Sequence, residues 1–532
     1  MKLIETCPYC TKQKHDLHVV SESVLASCTF LKLSCGHTVA EMHARVVTPV
    51  GITDSPSPTA WSALDTSGHA ARPYQIEAVR FFEHTNFKAL LADEMGVGKT
   101  LSALMALRHN EQLFPVAILV KSSTIYQWAK EFVKWVSPLD GPRTVIPVTS
   151  RKMLIPGLAA YIMSHDQLAR GGDDKTGSTI DKLLACGIKT IIVDECHSFK
   201  DPSAARTKAL ITLITRGEIQ NRIFLSGTPI KSRASEYFTV LNLIDPRRFS
   251  SRQSFYNGWL IPNERGSYSR IAPWKADEFQ EVTSKYILRR MKHEVLKDLP
   301  PFTLNTETVV IDDLTFKKLY NHNLDLFSNF LNGGQALNST ELLGWLARLR
   351  RITGKAKISH IVEKTREFFD SHDSPELPKL AIGIHHEDVR EALYTTFQVE
   401  GLRPLQLSGM DNPARKEQIV QQFTNQNYSP LIANALAGGV GLNIQCCHDA
   451  WLMERQWTPS DENQWWARFH RSGQEHPVTG TVFEAKGTID QFFGDLLREK
   501  FRDVSETMGD WSLTTDDNSL RQLAETVSMG RL

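Results

Sequence analysis

The stretch Leu90–Thr100, LLADEMGVGKT, limits the possible folds of this chain more than any other. A short apolar run from Lys88 to Ala92 predicts a buried strand, and the helical pattern LSALMALRHN follows the glycine-containing turn. A strand, a turn and a helix N-terminus in this order hold phosphate groups, because backbone N–H groups point at the anion. In such a loop the Lys99 ammonium approaches the β- and γ-phosphates, and the Thr100 hydroxyl reaches Mg²⁺. The stretch therefore predicts a nucleotide site.

One position of this loop departs from the common pattern. The motif usually has a glycine five residues before Gly98, and Asp93 occupies that place here. The alternative interpretation is a glycine turn with an incidental lysine. The strand before the turn and the helix after it favour the nucleotide site.

Length and composition limit the class of protein. A chain of 532 residues is too long for one hydrophobic core, so we expect two to four domains. The net charge of +1 neither favours nor excludes nucleic acid. No run of eighteen apolar residues occurs and the start, MKLIETCPYC, has no signal-peptide core. We therefore expect no membrane span and a reducing compartment, cytoplasmic or, in a eukaryote, nuclear.

Cysteines are crowded near the start of the chain, where residues 1–50 predict a small zinc ribbon. A C-x2-C turn and a second close pair in the hairpin-like stretch LKLSCGHTVA are typical of such modules. The predicted structural zinc ligands are Cys7, Cys10, Cys35 and His37. Cys28 or His18 is the alternative fourth ligand, and reduced structural thiols are the alternative to a metal site. Zinc is favoured because about fifty residues bury little core without a cross-link.

After a Pro-, Ser- and Thr-rich linker, strands and helices alternate. VAILV (116–120), TIIVDE (190–195) and IFLSG (223–227) predict strands, and TIYQWAKEFVKW predicts an amphipathic helix. Short β-rich runs that alternate with helices predict a doubly wound parallel sheet.

Two acids end one of these strands. The carboxyl ends of parallel strands border the crevice where ligands bind, so Asp194 can hold Mg²⁺ and Glu195 can activate the attacking water. A single acid at a strand end is commonly only solvated. Two acids about a hundred residues after GKT favour the catalytic interpretation. SGTP (226–229) then predicts a loop that links the nucleotide to a second site.

A second α/β unit follows a segment with a largely helical pattern, residues 301–375. LAIGI, LQLSG, LIAN and AWLME predict its strands, and ENQWWARFHRSGQ predicts a helix. Gln464, Arg468 and Arg471 have i, i+4, i+7 spacing and would share one face of that helix. The densest basic cluster, which is either a solvated helix face or a surface that follows phosphates, contains Arg348, Arg350, Arg351, Lys355 and Lys357.

From Arg72 to about Glu499 the sequence resembles a Swi/Snf-type DNA translocase ATPase of helicase superfamily two. The matching stretches include RPYQ, ADEMGVGKT, QWAKEF, VDECHSFKDPSAARTKAL, LSGTPIKSRASEYFTVLNLIDPRRF, LRRMKHEVLKDLP, AGGVGLN, the run from Gln464 to Gln474, and KGTID. LRRMKHEVLKDLP (288–300) is specific, since general helicases of the superfamily lack it. TGKAK and IHHEDV resemble the fork-remodelling, annealing-helicase branch. Leu436 and Cys196 depart from the family pattern, which usually has a basic or polar residue and an alanine there.

The resemblance implies an α/β fold with two RecA-like P-loop lobes, parallel sheets flanked by helices. The expected divisions are a zinc ribbon at 1–50, a linker at 51–69, lobe 1 at 70–299, a linker and helical insertion at 300–375, lobe 2 at 376–505 and a tail at 506–532.

The resemblance also implies the roles of single residues. Those expected to contact the nucleotide are Arg72, Gln75, Asp93, Glu94, Met95, Gly96, Val97, Gly98, Lys99, Thr100, Gly441 and Gln464. The catalytic set is Lys99, Asp194, Glu195, Arg468 and Arg471, with Thr100 and Asp194 holding Mg²⁺. His197, Ser226 and Thr228 would couple hydrolysis to DNA.

The expected activity is ATP- and Mg²⁺-dependent movement on double-stranded or forked DNA without sustained strand separation. The alternatives are a strand-separating helicase of the same superfamily, a motor subunit in a multi-chain DNA defence or repair system, and an ATPase-dead nucleic-acid scaffold. The presence of Lys99, Asp194, Glu195, Arg468 and Arg471 argues against the scaffold. A protein partner could supply a nuclease, repair or replication function.

Overall fold

The computed structural model describes the backbone of five short strands before residue 50 and ten further ranges. These ranges are 70–136, 144–171, 178–229, 234–262, 268–332, 339–371, 378–425, 430–435, 444–457 and 459–494. A small unit contains Met1–Ala63 and Gln280–Val282, and a large unit contains Leu64–Phe279 and Thr283–Leu532. Within the described ranges, none of the helices has both the length and the apolar character that crossing a membrane requires.

The described residues of Met1–Ala63 form β-strands. They are β1 Leu3–Ile4, β2 Val19–Leu25, β3 Cys28–Leu33, β4 Thr38–Ala40 and β5 Val46–Val47. Strands β2, β3 and β4 form an antiparallel sheet, which confirms the predicted hairpin at LKLSCGHTVA, and β1 pairs with β5. The predicted zinc ligands Cys7, Cys10, Cys35 and His37, and the alternative His18, lie outside the described residues.

The first part of the large unit is built on a seven-stranded parallel sheet with the order β14-β6-β11-β10-β7-β9-β8. The strands are β6 Lys88–Leu91, β7 Val116–Val120, β8 Val145–Pro147, β9 Ala160–Ser164, β10 Thr190–Asp194, β11 Asn221–Leu225 and β14 Ile287–Leu288. A separate antiparallel hairpin contains β12 Leu260–Pro262 and β13 Tyr268–Ile271. Every residue of β7, β9 and β10 is buried, as helices on both faces of a parallel sheet require.

Helices flank this sheet and connect its strands. They are α1 Pro73–His84, α2 Lys99–His109, α3 Ile125–Val136, α4 His165–Leu168, α5 Thr179–Ala185, α6 Ala205–Arg216, α7 Tyr237–Ile244, α8 Arg252–Trp259, α9 Ala276–Ser284 and α10 Lys292–Val295. The predicted strands VAILV, TIIVDE and IFLSG and the predicted helix TIYQWAKEFVKW are all confirmed to within two residues at each end.

The second part is built on a six-stranded parallel sheet with the order β15-β20-β19-β16-β18-β17. The strands are β15 Phe302–Val309, β16 Leu380–Ile384, β17 Leu405–Leu407, β18 Leu431–Asn434, β19 Asp449–Leu452 and β20 Val478–Ala485. The helices are α11 Leu314–Asn332, α12 Ser339–Ala356, α13 Ile358–Asp370, α14 Glu387–Val399, α15 Pro413–Asn425 and α16 Pro459–Trp466. The predicted fold class, two α/β lobes with parallel sheets, is confirmed.

The interpretation of residues 301–375 as largely helical is wrong at its start. Residues Phe302–Val309 form the edge strand β15, which pairs in parallel with β20 along its whole length. The sequence FTLNTETV is mostly polar and its side chains are largely exposed, so it lacks the apolar pattern of a buried strand. Its place in the sheet depends on β20, which lies far away in the sequence.

The predicted basic cluster does not form one surface. Lys357 is completely buried and contacts Asp490, while Arg350 is buried, donates a hydrogen bond to Arg455 O and lies 4.6 Å from the Trp457 ring centroid. For these two residues both interpretations, a solvated face and a phosphate-following surface, are wrong. A buried charge needs a partner, and the partners come from distant segments. The other three members are exposed. Arg351 and Lys355 lie beside Asp388, and the Arg348 guanidinium lies over the Trp345 ring.

IHHEDV forms a buried polar network with Glu454 in the second lobe, and Gly354 of TGKAK packs against it. His386 Nδ1 lies 2.8 Å from Glu454 Oε1, and the backbone N–H groups of His385 and His386 both donate to Glu454 Oε2. A Cβ at Gly354 would lie 2.7 Å from the same carboxylate, so only glycine lets α12 approach so closely. The network therefore attaches α12 to the carboxyl end of β16.

His385 makes this network sensitive to acid. The Trp457 indole N–H donates to His385 Nε2 at 2.9 Å, and burial and the nearby Arg350 charge lower the pKa of His385 to about 4. Because the folded pKa is below the unfolded value, the stabilisation is complete above pH 6.5 and is lost as pH falls towards 4. We expect His385→Gln to remove about 2 kcal/mol of the pH dependence of unfolding between pH 7 and pH 5.

The measurement is denaturant unfolding at both pH values, with the exposed His293→Gln as the matched control. An unchanged pH dependence in His385→Gln would show that His385 titrates as it does in the unfolded chain.

Candidate active site

The carboxyl ends of four adjacent strands, in the sheet order β14-β6-β11-β10, supply the parts of one site. The glycine-containing loop follows β6 and ends where α2 begins at Lys99. Ser226 follows β11, and Asp194 ends β10. The convergence predicted from the parallel sheet is therefore present in the structure.

Two glycines of the loop have backbone angles that favour glycine, with φ of 86° at Gly96 and 106° at Gly98. A Cβ at Gly98 would lie 2.7 Å from Gln75 Nε2, and one at Gly96 would lie 3.1 Å from Arg471 Cβ. A side chain at either position would press against these neighbours, so glycine lets Gln75 and Arg471 approach the loop. The loop backbone thus fits an anionic ligand at the N-terminus of α2.

Lys99 is held at the centre of the site by backbone carbonyls. Its ammonium donates to Asp93 O at 2.7 Å and to Glu94 O at 3.1 Å. Burial lowers the pKa of Lys99, and the nearby carboxylates of Glu195, Asp93 and Asp194 oppose that effect. The charge is therefore positioned next to the loop before any phosphate is present.

Helix α1 supports the loop from one side. The Arg72 backbone N–H donates to Gln75 Oε1 at 2.8 Å, which fixes the buried Gln75 amide beside Gly98. The Tyr74 hydroxyl donates to Val97 O at 2.7 Å. RPYQ is therefore joined to the loop through two adjacent residues.

The two predicted acids have different environments. The Trp128 indole N–H donates to Asp194 Oδ2 at 3.0 Å, and burial together with the Glu195 charge raises the pKa of Asp194 to about 6. Burial also raises the pKa of Glu195, but the hydrogen bond and charge of His197 outweigh it and bring this pKa well below its usual value. Glu195 therefore stays ionised as an acceptor, and its φ of 50° turns its side chain out of the strand direction.

The predicted coupling residues form a short chain of contacts beside the acids. His197 Nδ1 lies 3.3 Å from Glu195 Oε2 and 3.2 Å from Ser226 Oγ, and the Thr228 N–H donates to Ser226 Oγ at 3.1 Å. A Cβ at Gly227 would lie 3.2 Å from Lys99 Nζ, so this loop also packs against the lysine.

The second lobe closes the site with three polar side chains. A cavity of about 150 Å³ lies between the loop, the acids and the segment that contains Gln464, Arg468 and Arg471. Within the described part of the chain, Gln464 Nε2, Arg468 Nη1 and Arg471 Nε are buried donors without a hydrogen-bond partner. Buried donors around a cationic loop fit a polyanion such as ATP, because each unmet donor is costly unless a ligand accepts from it.

The prediction that Gln464, Arg468 and Arg471 share one face of a helix is wrong, although the three residues do come together. Helix α16 ends at Trp466, so Arg468 and Arg471 lie in the turns that follow it. The Gln474 amide holds these turns, since it donates to Gln445 O at 3.0 Å and to Phe469 O at 3.2 Å. Neither Gln474 nor Trp128 was assigned a role from the sequence, although the quoted motifs contain both. Gly441 lies outside the described residues.

The family model for the SNF2-related domain matches residues 74–358, more than half of the chain. The chain belongs to the SNF2 family. This membership confirms the resemblance to Swi/Snf-type ATPases that the motifs indicated. ATP with Mg²⁺ is what ATP-dependent helicases of this family generally use.

The named relatives include a DNA annealing helicase and other ATP-dependent helicases. The chain is 23% identical to the DNA annealing helicase and endonuclease ZRANB3 of Mus musculus over 82% of its own length and 40% of the relative. It is 26% identical to an uncharacterized ATP-dependent helicase of Mycoplasma pneumoniae, over 82% of this chain and 42% of the relative. The SNF2 chain thus spans about two fifths of these two relatives. It is 26% identical to the SWI/SNF-related subfamily A-like protein 1 homolog of Caenorhabditis elegans, over 94% of this chain and 70% of the relative.

Among solved structures, the SWI2/SNF2 ATPase core of Sulfolobus solfataricus in complex with dsDNA covers 83% of this chain at 20% identity. The match covers 92% of that core with a TM-score of 0.39, too loose an overlap for any functional argument.

Proposed function

We propose that the chain is an ATP-dependent double-stranded DNA translocase of the Swi/Snf type. The observation that carries the proposal is the set of unpaired buried donors of Gln464, Arg468 and Arg471 around the Lys99 loop. A catalytic site completed by a second lobe can change the contact between lobes when the γ-phosphate leaves. That change is the elementary step of a motor on nucleic acid.

The proposed chemistry uses residues of both lobes. Bound ATP·Mg²⁺ supplies the electrophilic γ-phosphorus and the metal charge that balances the phosphates. Gly96 and Gly98 offer backbone N–H groups to the phosphates, Lys99 moves from its carbonyl partners to them, and Gln75 contacts the base. The remaining roles are metal binding by Thr100 and Asp194, orientation and deprotonation of water by Glu195, and charge stabilisation by Arg468 and Arg471.

The proposed coupling runs through the contacts of His197 with Glu195 and Ser226. Loss of the γ-phosphate would alter the position of Glu195, and these contacts would transmit the change through His197 and Ser226 to the loop at Thr228. Alternating grip on the DNA backbone would then give stepwise movement with little sequence preference and strong salt dependence. Forked DNA is proposed as a preferred substrate because the relatives include annealing helicases.

The test is the steady-state ATPase rate without nucleic acid and with blunt duplex DNA, forked DNA, single-stranded DNA and RNA. Strong stimulation by duplex is expected, with further stimulation by forks, and Glu195→Gln should be inactive throughout. Stimulation only by single strands or RNA would replace the translocase with a strand-separating helicase. A rate that no nucleic acid changes would contradict both.

The zinc ribbon and the domain divisions given above stay proposals for this chain. If Cys7, Cys10 and Cys35 bind zinc with His37, metal analysis of protein purified without chelator is expected to find about one zinc per chain. The change Cys7→Ser with Cys10→Ser should remove it, whereas Cys186→Ser, at a buried free cysteine, should leave the zinc content unchanged. Protein without zinc would contradict the ribbon.

A further inference from the structure

Asp93 and the segment 288–292 are in direct contact. Strand β14 lies in parallel beside β6, with Ile287 opposite Leu90, and the pairing continues past the ends of both strands. The Ala92 N–H donates to Leu288 O at 2.7 Å, and the Glu94 N–H donates to Arg290 O at 2.9 Å. The start of LRRMKHEVLKDLP therefore runs alongside the first residues of the phosphate loop.

Arg290 binds the Asp93 carboxylate with both arms of its guanidinium. Nε donates to Oδ1 at 3.1 Å and Nη2 donates to Oδ2 at 2.6 Å, with Asp93 0% and Arg290 8% exposed. The third nitrogen, Nη1, donates to Tyr74 O and to Glu77 Oε2 on α1. A buried two-armed pair of this kind fixes geometry, and removal of one partner leaves a buried charge uncompensated.

The residues on either side of Arg290 contact Ala92 and Glu94, the loop residues next to Asp93. Arg289 Nη1 donates to Ala92 O at 3.0 Å. The Lys292 N–H donates to Glu94 Oε2 at 2.7 Å, and the Lys292 ammonium lies 3.5 Å from Glu94 Oε1. Polar groups of the signature thus contact each residue from Ala92 to Glu94.

We infer that the segment 288–292 fixes the position of the phosphate loop and that Arg290 is a positioning residue for nucleotide binding. This inference rests on the proposed ATPase function. The common loop has a glycine at the place of Asp93, and here an ion pair fixes the backbone instead. The carbonyls of Asp93 and Glu94 accept hydrogen bonds from the Lys99 ammonium, so the segment 288–292 determines the position of that ammonium before a nucleotide binds. The hydrogen bond of Arg290 to Tyr74 O also fixes the position of helix α1, which carries Gln75.

The test is equilibrium binding of a fluorescent ATP analogue with Mg²⁺, together with the thermal midpoint of each variant. Arg290→Ala is expected to weaken analogue binding by about tenfold or more, because the loop loses its fixed position. Arg290→Lys keeps the charge without the two-armed contact and should weaken binding by about threefold. The double change Asp93→Gly with Arg290→Ala removes the buried carboxylate and restores the common glycine, so it should recover most of the loss.

Arg222→Ala is the matched control. This arginine lies on β11 of the same sheet and its guanidinium donates to Ile219 O and Leu243 O. The control should lower the thermal midpoint without changing analogue affinity. If Arg290→Ala behaves like the control, with lower stability and wild-type affinity, the inference is overturned.

If Arg290→Ala yields no folded protein, Arg290→Lys decides, and wild-type affinity in that variant also overturns the inference. Wild-type protein that fails to bind the analogue would instead contradict the proposed function.

Discussion

Replacement of Lys99 by alanine is expected to abolish ATP hydrolysis. The Lys99 ammonium is a half-buried cation at the N-terminus of α2, and its partners are the loop carbonyls of Asp93 and Glu94. Without it, the phosphates lose the charge that balances them in the transition state. The measurement is the duplex-stimulated ATPase rate, which should fall to the level of the Glu195→Gln variant.

Lys130→Ala is the matched control for this prediction. Lys130 is exposed and its ammonium lies 2.6 Å from Glu417 on the surface. Its loss should leave hydrolysis near the wild-type rate, since exposed ion pairs contribute little. A Lys99→Ala variant with more than about a tenth of the wild-type rate would show that the loop is not the phosphate site.

Replacement of Arg471 by alanine is expected to lower turnover by about 10³-fold while it leaves nucleotide affinity within about twofold. Arg471 comes from the second lobe, its Nε has no partner among the described residues, and its Cβ would be 3.1 Å from a Cβ at Gly96. Burial lowers the pKa of this arginine because its charge is removed from water. Charge from a second lobe acts mainly in the transition state, so kcat should fall and binding should not.

Single-turnover kinetics and analogue binding separate these two effects. Arg415→Ala, an exposed arginine of the same lobe that donates to Gln418, should change neither quantity. A loss of affinity equal to the loss of turnover in Arg471→Ala would mean that Arg471 binds the ground state instead.

The parts of the fold predicted from the sequence are those specified by local pattern. Strands β7 and β10 are largely apolar runs because both faces of the sheet are covered, and such runs are visible in the sequence. The loop at Lys99 and the acids Asp194 and Glu195 were found because a fixed spacing of residue types is required for phosphate chemistry.

The parts that were missed depend on distant partners. Strand β15 is polar and exposed, so nothing in its own sequence distinguishes it from a linker before β20 is present. Lys357 and Arg350 look like surface charges on an amphipathic helix, and only Asp490 and Trp457 show that they are buried. The turns at Arg468 and Arg471 depend on Gln474 and the carbonyls that it contacts. Helical spacing therefore predicted correctly that Gln464, Arg468 and Arg471 lie together, but the structure brings them together through turns.

The pairing of β15 with β20 has a consequence for how the protein is made. These are the first and last strands of the second sheet along the chain, and each residue of β15 pairs with one 176 positions later, as Phe302 does with Val478. A ribosome that has released β15 must still synthesise every other element of this lobe before β20 can emerge. Until then both β15 and β19 present open hydrogen-bonding edges. We therefore expect nascent chains that end between β15 and β20 to be more prone to aggregation than the complete lobe, and to need chaperones.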